Sequence, residues 1–202
     1  HNQKEKRPVC LSEYGGGGAI SQHKDNVDWE SDIDPVGVRH YENYQSQLHE
    51  ILWKQFSVRK YLWAEFIWCI FDFASYGRTE GDTKSQNDKG LCTRERIPKD
   101  VYFFYRSVWS SEKTIYITER RHEFRACDVP FVKVYSNADA VELYINDVSH
   151  GRISWCELPD DESTVFVWEN IKLKPGTKNK ICAKAYFSDG TSRSDYALWT
   201  GK

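Results

Sequence analysis

Two hydrophobic patterns divide the chain, and they meet near Ser110-Ser111. Before that point strand-like and helix-like segments alternate; after it come only short strand-like segments with turns between them. In the first portion, residues 7–12 (RPVCLS) read as a short buried strand behind a proline, and Gly15-Gly16-Gly17-Gly18 then breaks the chain into a loop. A polar loop covers 22–38. Over 40–57 the apolar residues Tyr41, Tyr44, Leu48, Ile51, Leu52 and Phe56 fall on one face of an amphipathic helix. Residues 62–74 (LWAEFIWCIFDFA) are nearly all apolar, the pattern of a strand covered on both faces as in a parallel sheet. A long polar loop over 75–97 follows, of a length usually tied to function. Pro98 opens a second helix carrying Val101, Phe104, Tyr105, Val108 and Trp109 at i, i+3, i+4, i+7 and i+8. The order is strand–helix–strand–helix.

In the second portion the expected strands are 114–118, 131–136, 140–145, 164–168, 180–187 and 196–200. Alternation is clearest in Val141, Leu143 and Ile145 against Glu142 and Tyr144. Turns are expected at Ser136-Asn137-Ala138-Asp139, Pro159-Asp160-Asp161, Pro175-Gly176 and Asp189-Gly190. Six or seven short strands in this length fit an immunoglobulin-like sandwich. The fold class is therefore α/β plus all-β, with a boundary between 1–110 and 111–202.

Composition narrows the function. At 202 residues, 40% hydrophobic and 29% charged, the chain can bury a substantial core. No apolar run approaches the ~20 residues of a membrane span. A net charge of −2 without a basic stripe argues against a nucleic-acid partner. Eight Trp, 12 Tyr and 10 Phe are first of all core residues, though surplus Trp also suits stacking on sugars. The six cysteines, Cys10, Cys69, Cys92, Cys127, Cys156 and Cys182, form no CxxC pair and read as buried structural thiols. Disulfides stay open as an alternative, and with them the compartment. The histidines lack metal-ligand spacing, so no zinc site is expected. The chain starts at His1 without a signal-peptide pattern, so the beginning of the natural protein is expected to be missing.

Glu13 stands just after the first strand and before the glycine loop. In a barrel of β/α units, groups at the carboxyl ends of strands carry the chemistry. A carboxylate there can attack a sugar carbon and form a covalent glycosyl-enzyme. A lone Glu at a strand end is weak evidence, and the glycines match no phosphate loop because no Gly-Lys-Ser/Thr follows.

The context of Glu13 changes the reading. Ser12-Glu13-Tyr14-Gly15 resembles the nucleophile motif of glycoside hydrolase family 2. Tyr44-Gln45-Ser46 with His49-Glu50 resembles that family's seventh barrel helix, and Leu62-Trp63-Ala64-Glu65-Phe66-Ile67-Trp68 its eighth strand. Gly77-Arg78-Thr79-Glu80-Gly81-Asp82 and Asn87-Asp88-Lys89-Gly90-Leu91 resemble the loop that follows. Val134-Tyr135-Ser136-Asn137-Ala138-Asp139 is similar to the sandwich after the barrel in many bacterial members.

The resemblance implies the last two β/α units of a TIM (β/α)8 barrel followed by an immunoglobulin-like sandwich. It makes Glu13 the nucleophile of a retaining β-galactosidase and Trp68 the floor of the sugar pocket, followed by a non-proline cis peptide at Trp68–Cys69. Tyr14 is expected near the sugar. Asn87 and Lys89 resemble the carboxylate-recognising pair of the family's β-glucuronidases, which makes β-glucuronidase the first alternative. A non-catalytic carbohydrate-binding or structural sandwich is the second. The family's acid/base Glu lies upstream of the nucleophile, and Glu5, in Lys4-Glu5-Lys6-Arg7, is not placed to be it. Asp72, Glu80 and Asp82 read as structural or solvated acids. The chain alone is thus expected to be silent, with the remaining N-terminal part of the enzyme as its partner, carbohydrate as substrate and homo-oligomerisation open. Family members often hold metal ions near the site, but no matching ligand set lies in this chain, so no cofactor is expected within it. The bacterial resemblance is compatible with a periplasmic or secreted location.

Overall fold

The computed structural model describes residues 8–32, 38–158 and 164–202. Glu5, Arg7, the end of the 22–38 loop and the Pro159-Asp160-Asp161 turn lie outside the described residues.

The first portion holds β1 (Val9–Tyr14), α1 (Glu42–Phe56), β2 (Leu62–Ile67) and α2 (Asp100–Trp109), in the expected order. Strands β1 and β2 pair in parallel, Val9 opposite Leu62 and Tyr14 opposite Ile67, so α1 serves as the crossover. The strand expected over 62–74 ends at Ile67, and a two-residue β3 (Phe73–Ala74) pairs with β4 (Gln86–Asn87) inside the long loop.

Neither strand is covered on both faces. Trp63 is 64% and Phe66 51% exposed, and most of β1 is exposed. The apolar run in 62–74 therefore holds side chains left open among the described residues rather than a strand buried on both faces.

Helix α1 departs from the hydrophobic-face expectation more sharply. Its buried residues are Glu42, Asn43, Gln45, Ser46 and His49, while Ile51 of the apolar stripe is 43% exposed. A wheel diagram sends such polar groups to water; here they find protein partners, Asn43 donating to the Lys24 carbonyl (2.7 Å) and Ser46 to the Glu42 carbonyl (3.3 Å). Helix α2 buries most of its apolar stripe, with Val101, Phe104 and Tyr105 inside and Val108 partly so, while Trp109 at its end is 53% exposed.

The second portion is two facing sheets. One has the order β10 (Val165–Lys172), β7 (Asp128–Ser136), β5 (Ile115–Ile117). The other runs β6 (Phe124–Arg125), β12 (Ser192–Gly201), β11 (Lys178–Tyr186), β8 (Ala140–Ile145), β9 (Val148–Ser154). A single apolar cluster fills the space between them, with Ile117, Val134 and Phe166 from the first sheet against Leu143, Ile181, Ala183 and Trp199 from the second. All six expected strands are present. Strands β6 and β9 were not legible: β6 is two residues long, and β9 is joined to β8 by Asn146-Asp147, both at positive φ (50° and 66°), a primed turn without the usual glycine.

All six cysteines are free thiols. Cys92 is buried, but Cys10 and Cys156 are exposed, against the expectation of six buried thiols. Both lie on elements whose outer face is open, β1 and the turn after β9.

A second apolar cluster crosses the 110/111 boundary, joining Tyr14, Val101, Phe104 and Tyr105 to Tyr116, Tyr135 and Val165. Charges reinforce it. The fully buried Glu42 carboxylate accepts from Arg121 Nη1 (2.6 Å) and from the Asp100 backbone N–H (3.0 Å), and Asp100 accepts from the Tyr116 hydroxyl (2.7 Å). Lys133 Nζ lies 2.6 Å from Glu50 Oε1.

Candidate active site

The strand register sets which side chains meet. Tyr14 and Ile67 are opposite one another and both pack on the helix side. The pairing is irregular between Leu11 and Tyr14, so simple alternation does not fix the direction of the residues between them. Glu13 is exposed, at the carboxyl end of β1. Trp68 follows β2 directly; its N–H donates to the Tyr14 carbonyl (2.8 Å), its ring meets Phe73 edge-on at 5.9 Å, and it is 44% exposed. The Trp68–Cys69 peptide is cis.

The segment from Asn87 to Leu91 is laced to this strand end. Cys69 N–H donates to the Lys89 carbonyl (3.2 Å) and Leu91 N–H to the Cys69 carbonyl (3.0 Å). Asn87 is buried and its Oδ1 accepts from the Lys89 N–H at 3.0 Å. Lys89 is half-buried, close enough to Cys69 for its charge to favour the thiolate, although burial of the thiol outweighs it. Glu13 at the end of β1 and Trp68 just after β2 thus share one end of the strand pair, and the Lys89 backbone is bonded to the residue after Trp68.

Tyr14 is placed elsewhere. Its ring packs edge-on against Phe56 at 5.1 Å, and its hydroxyl meets that of Tyr105 at 3.1 Å. Burial pushes its phenol up to about 12. It faces the helices and is buried there, whereas Glu13 is exposed.

Beneath these loops lies a polar scaffold that sequence reading missed, since it is built from the polar face of α1 and the residue before α2. Gln45 Nε2 donates to the Gly16 carbonyl (2.8 Å) and the Gly90 carbonyl (3.1 Å), bridging the loops after β1 and β2. Lys99, with no exposed surface, donates to the Gly18 carbonyl (2.7 Å), Asp72 Oδ1 (2.8 Å) and the Asp88 carbonyl (2.8 Å), which uses all three ammonium protons. His49 Nε2 accepts from the Gly16 N–H at 3.3 Å and Nδ1 lies 2.9 Å from the Tyr105 hydroxyl. Burial holds this imidazole neutral, its pKa lowered to about 4. The glycines are consequently packed rather than a loose turn. A side chain on Gly90 would run into the backbone of Asp72 at 2.2 Å, and Gly15, at φ +138°, turns the chain onto His49 and the Trp68 carbonyl.

The neighbouring acids are engaged. Asp72 pairs with Lys99 and also accepts from the Gly90 N–H (2.8 Å). Glu80 is buried against Arg78, and Asp82 accepts from Ser21. Among the described residues no group of three or more His, Cys, Asp or Glu side chains is arranged to hold a metal ion, so no step below is routed through one. No helix among them is long and apolar enough to cross a membrane.

The relatives of the chain are glycosidases. The chain is 36% identical over 178 residues to a β-glucuronidase of Bacteroides fragilis, an alignment covering 87% of this chain and 24% of that protein. It is 24% identical over 137 residues to the β-galactosidase BoGH2A of Bacteroides ovatus, covering 68% and 16%. A solved putative β-galactosidase from Bacteroides fragilis superposes with a TM-score of 0.83 at 28% identity, over 98% of this chain and 28% of that one. Residues 129–193 match a domain family of unknown function, DUF4982. The homologues are thus β-glucuronidases and β-galactosidases of the glycoside hydrolase family 2 type, and the chain spans about a quarter of the length of the first of them.

Proposed function

We propose that the chain is the carboxyl-terminal part of a retaining β-glycosidase of glycoside hydrolase family 2, with Glu13 as nucleophile. The observation that carries this is the exposed Glu13 carboxylate at the end of β1, with Trp68 just after β2 bonded through its N–H to the carbonyl of Tyr14, the residue after Glu13. In this reading residues 1–110 supply strands 7 and 8 of a (β/α)8 barrel with their helices, and 111–202 an immunoglobulin-like sandwich. The exposed side chains of β1 and β2, Trp63 and Phe66 among them, are where the other six units pack.

The chemistry follows from one carboxylate of the required pair. Glu13 attacks the anomeric carbon while a carboxylic acid from the upstream part, about 5–5.5 Å away, protonates the departing oxygen. Water then cleaves the glycosyl–Glu13 ester with that second group acting as base. Trp68 offers a ring face to the sugar. The chain alone holds half of this machinery and turns over nothing.

Two sugars fit, and one side chain separates them. Terminal β-D-galactose is the reading drawn from the motifs around the loop and sandwich. Terminal β-D-glucuronate is supported by the Asn87 and Lys89 side chains, an amide and an ammonium of the kind that pairs with a uronate carboxylate. Tyr14, buried against Tyr105, serves the scaffold in either case.

The test is to combine the chain with a separately made upstream part, or use the complete polypeptide, and assay chromogenic β-galactoside and β-glucuronide. Turnover of either that vanishes with Glu13→Gln supports the glycosidase reading and names the sugar. No turnover of either by a folded, associated polypeptide overturns it, leaving a non-catalytic sandwich.

A further inference from the structure

The residues on both carboxyl-side neighbours of Glu13 end on one buried imidazole. Gly16 N–H points at His49 Nε2 (3.3 Å), and the Tyr14 ring is tied through its hydroxyl to Tyr105 (3.1 Å), whose hydroxyl meets His49 Nδ1 (2.9 Å). Gln45 holds the next peptide of the turn, donating to the Gly16 carbonyl (2.8 Å). The turn between is tight: a Cβ on Gly15 would stand 3.0 Å from His49 Cε1 and 3.0 Å from the Trp68 carbonyl oxygen. His49 has no exposed surface and lies on the helix side of the sheet, so it touches no sugar.

The geometry assigns to His49 the role of a positioning residue for Glu13, acting as a neutral imidazole in the tautomer that carries its proton on Nδ1. This rests on the reading of Glu13 as nucleophile and adds to it the group that sets where the carboxylate stands. Only in that tautomer can Nε2 accept from Gly16 while Nδ1–H donates to Tyr105, which leaves the Tyr105 proton for Tyr14. A histidine protonated on both nitrogens would set an N–H against the Gly16 N–H and release the turn. The surroundings oppose that state. Tyr14 from β1, Tyr105 from α2 and the Gly15–Gly16 backbone face the ring without a carboxylate among them, and the charge felt from outside the ring is the Lys99 ammonium. A nucleophile carried on a loop has to be held to a fraction of an ångström, and a misplacement of ~1 Å costs up to about a hundredfold in rate.

Two substitutions in the complete polypeptide separate this role from plain packing. His49→Gln keeps an acceptor near the Nε2 position, whereas His49→Phe keeps the ring and removes the acceptor. For whichever glycoside the wild type cleaves, His49→Phe is expected to lower kcat about tenfold to a hundredfold, with KM changed less than about twofold and the native near-ultraviolet dichroism retained. His49→Gln is expected to recover most of the loss. Equal losses in both variants, or a folded His49→Phe with wild-type kcat, overturn the assignment. A second measurement is independent of turnover: nitrogen-15 NMR of the imidazole should report a neutral ring protonated on Nδ1, and an Nε2–H or charged ring at neutral pH overturns it. Loss of the Glu13 reading shows separately, as wild-type polypeptide that is never labelled on Glu13 by a 2-deoxy-2-fluoroglycosyl fluoride.

Discussion

Lys99→Met is the substitution with the largest stability effect that the structure lets us work out. The ammonium has no exposed surface and its three protons go to Gly18 O, Asp72 Oδ1 and Asp88 O at 2.7–2.8 Å. Methionine fills nearly the same volume, so the change removes charge and donors with little cavity. It leaves the buried Asp72 carboxylate with the Gly90 N–H as its remaining partner among the described residues, and two carbonyls lose a donor. Breaking a buried pair in this way costs about 3–5 kcal/mol, because an uncompensated charge stays behind. For a chain of this size that is a fall in Tm of roughly 6–20 °C. Thermal and urea unfolding followed by tryptophan fluorescence would measure it. Adding Asp72→Asn to Lys99→Met removes the stranded charge while keeping an acceptor for Gly90, and should restore at least half of the loss. A Lys99→Met chain within about 1 kcal/mol of wild type, or a double variant no better than the single, would refute the claim that this ion pair ties the loops to α2.

Lys89→Ala in the complete polypeptide should lower kcat/KM for a β-glucuronide by about ten- to a hundredfold, the value of one charge-assisted hydrogen bond, and leave a β-galactoside within about twofold. An equal effect on both sugars removes Lys89 from carboxylate recognition. Tyr14→Phe loses the hydroxyl contact to Tyr105 and should cost about 1 kcal/mol in urea unfolding without changing the preference between the two sugars; a switch in preference would put Tyr14 at the sugar after all. The His49 imidazole titrates near 4 in the folded chain against 6.5 when free, so the unfolded chain takes up the proton first as pH falls. Its contribution to stability is therefore intact above pH 6.5 and declines toward pH 4, by up to about 3 kcal/mol. Glu119, raised to about 7 by burial, acts in the opposite sense: it adds stability at acid pH that is lost as pH rises through 7. The check is thus a difference, urea midpoints of wild type and His49→Phe from pH 7.5 to 4.5, and parallel curves would contradict it.

Much of the fold could be read from apolar spacing. Helix α2 and all six expected strands in the second portion stand close to where alternation and periodicity put them, because each buries most of its apolar face within the chain. The misreadings share one cause. The rules assume that apolar faces are covered and polar faces wet, and β1, β2 and α1 break that assumption in both directions. Trp63 and Phe66 are open, whereas Glu42, Gln45 and His49 are shut in with backbone carbonyls, an arginine and a tyrosine as partners. The positions of Glu13 and Trp68 at their strand ends follow from short motifs. The scaffold beneath them does not, since a buried glutamine or histidine on a helix is spelled like a wet one. Its one visible trace was the run of four glycines, which left room for Leu48, His40 and Gln45 against the loop.

The apolar and ionic seam across 110/111 has a mechanical consequence. Phe104 and Tyr105 pack in one cluster with Tyr135, Glu42 is clasped by Arg121, and Glu50 by Lys133, so the helices and the sandwich are tied across the boundary by packing and by charge. A boundary in the amino-acid sequence is therefore no hinge. Any opening and closing that a complete enzyme performs must be found in the loops at the strand ends or across the open faces of β1 and β2, and a linker inserted after Ser110 would loosen a joint on which Glu42 and the first turn of α1 depend.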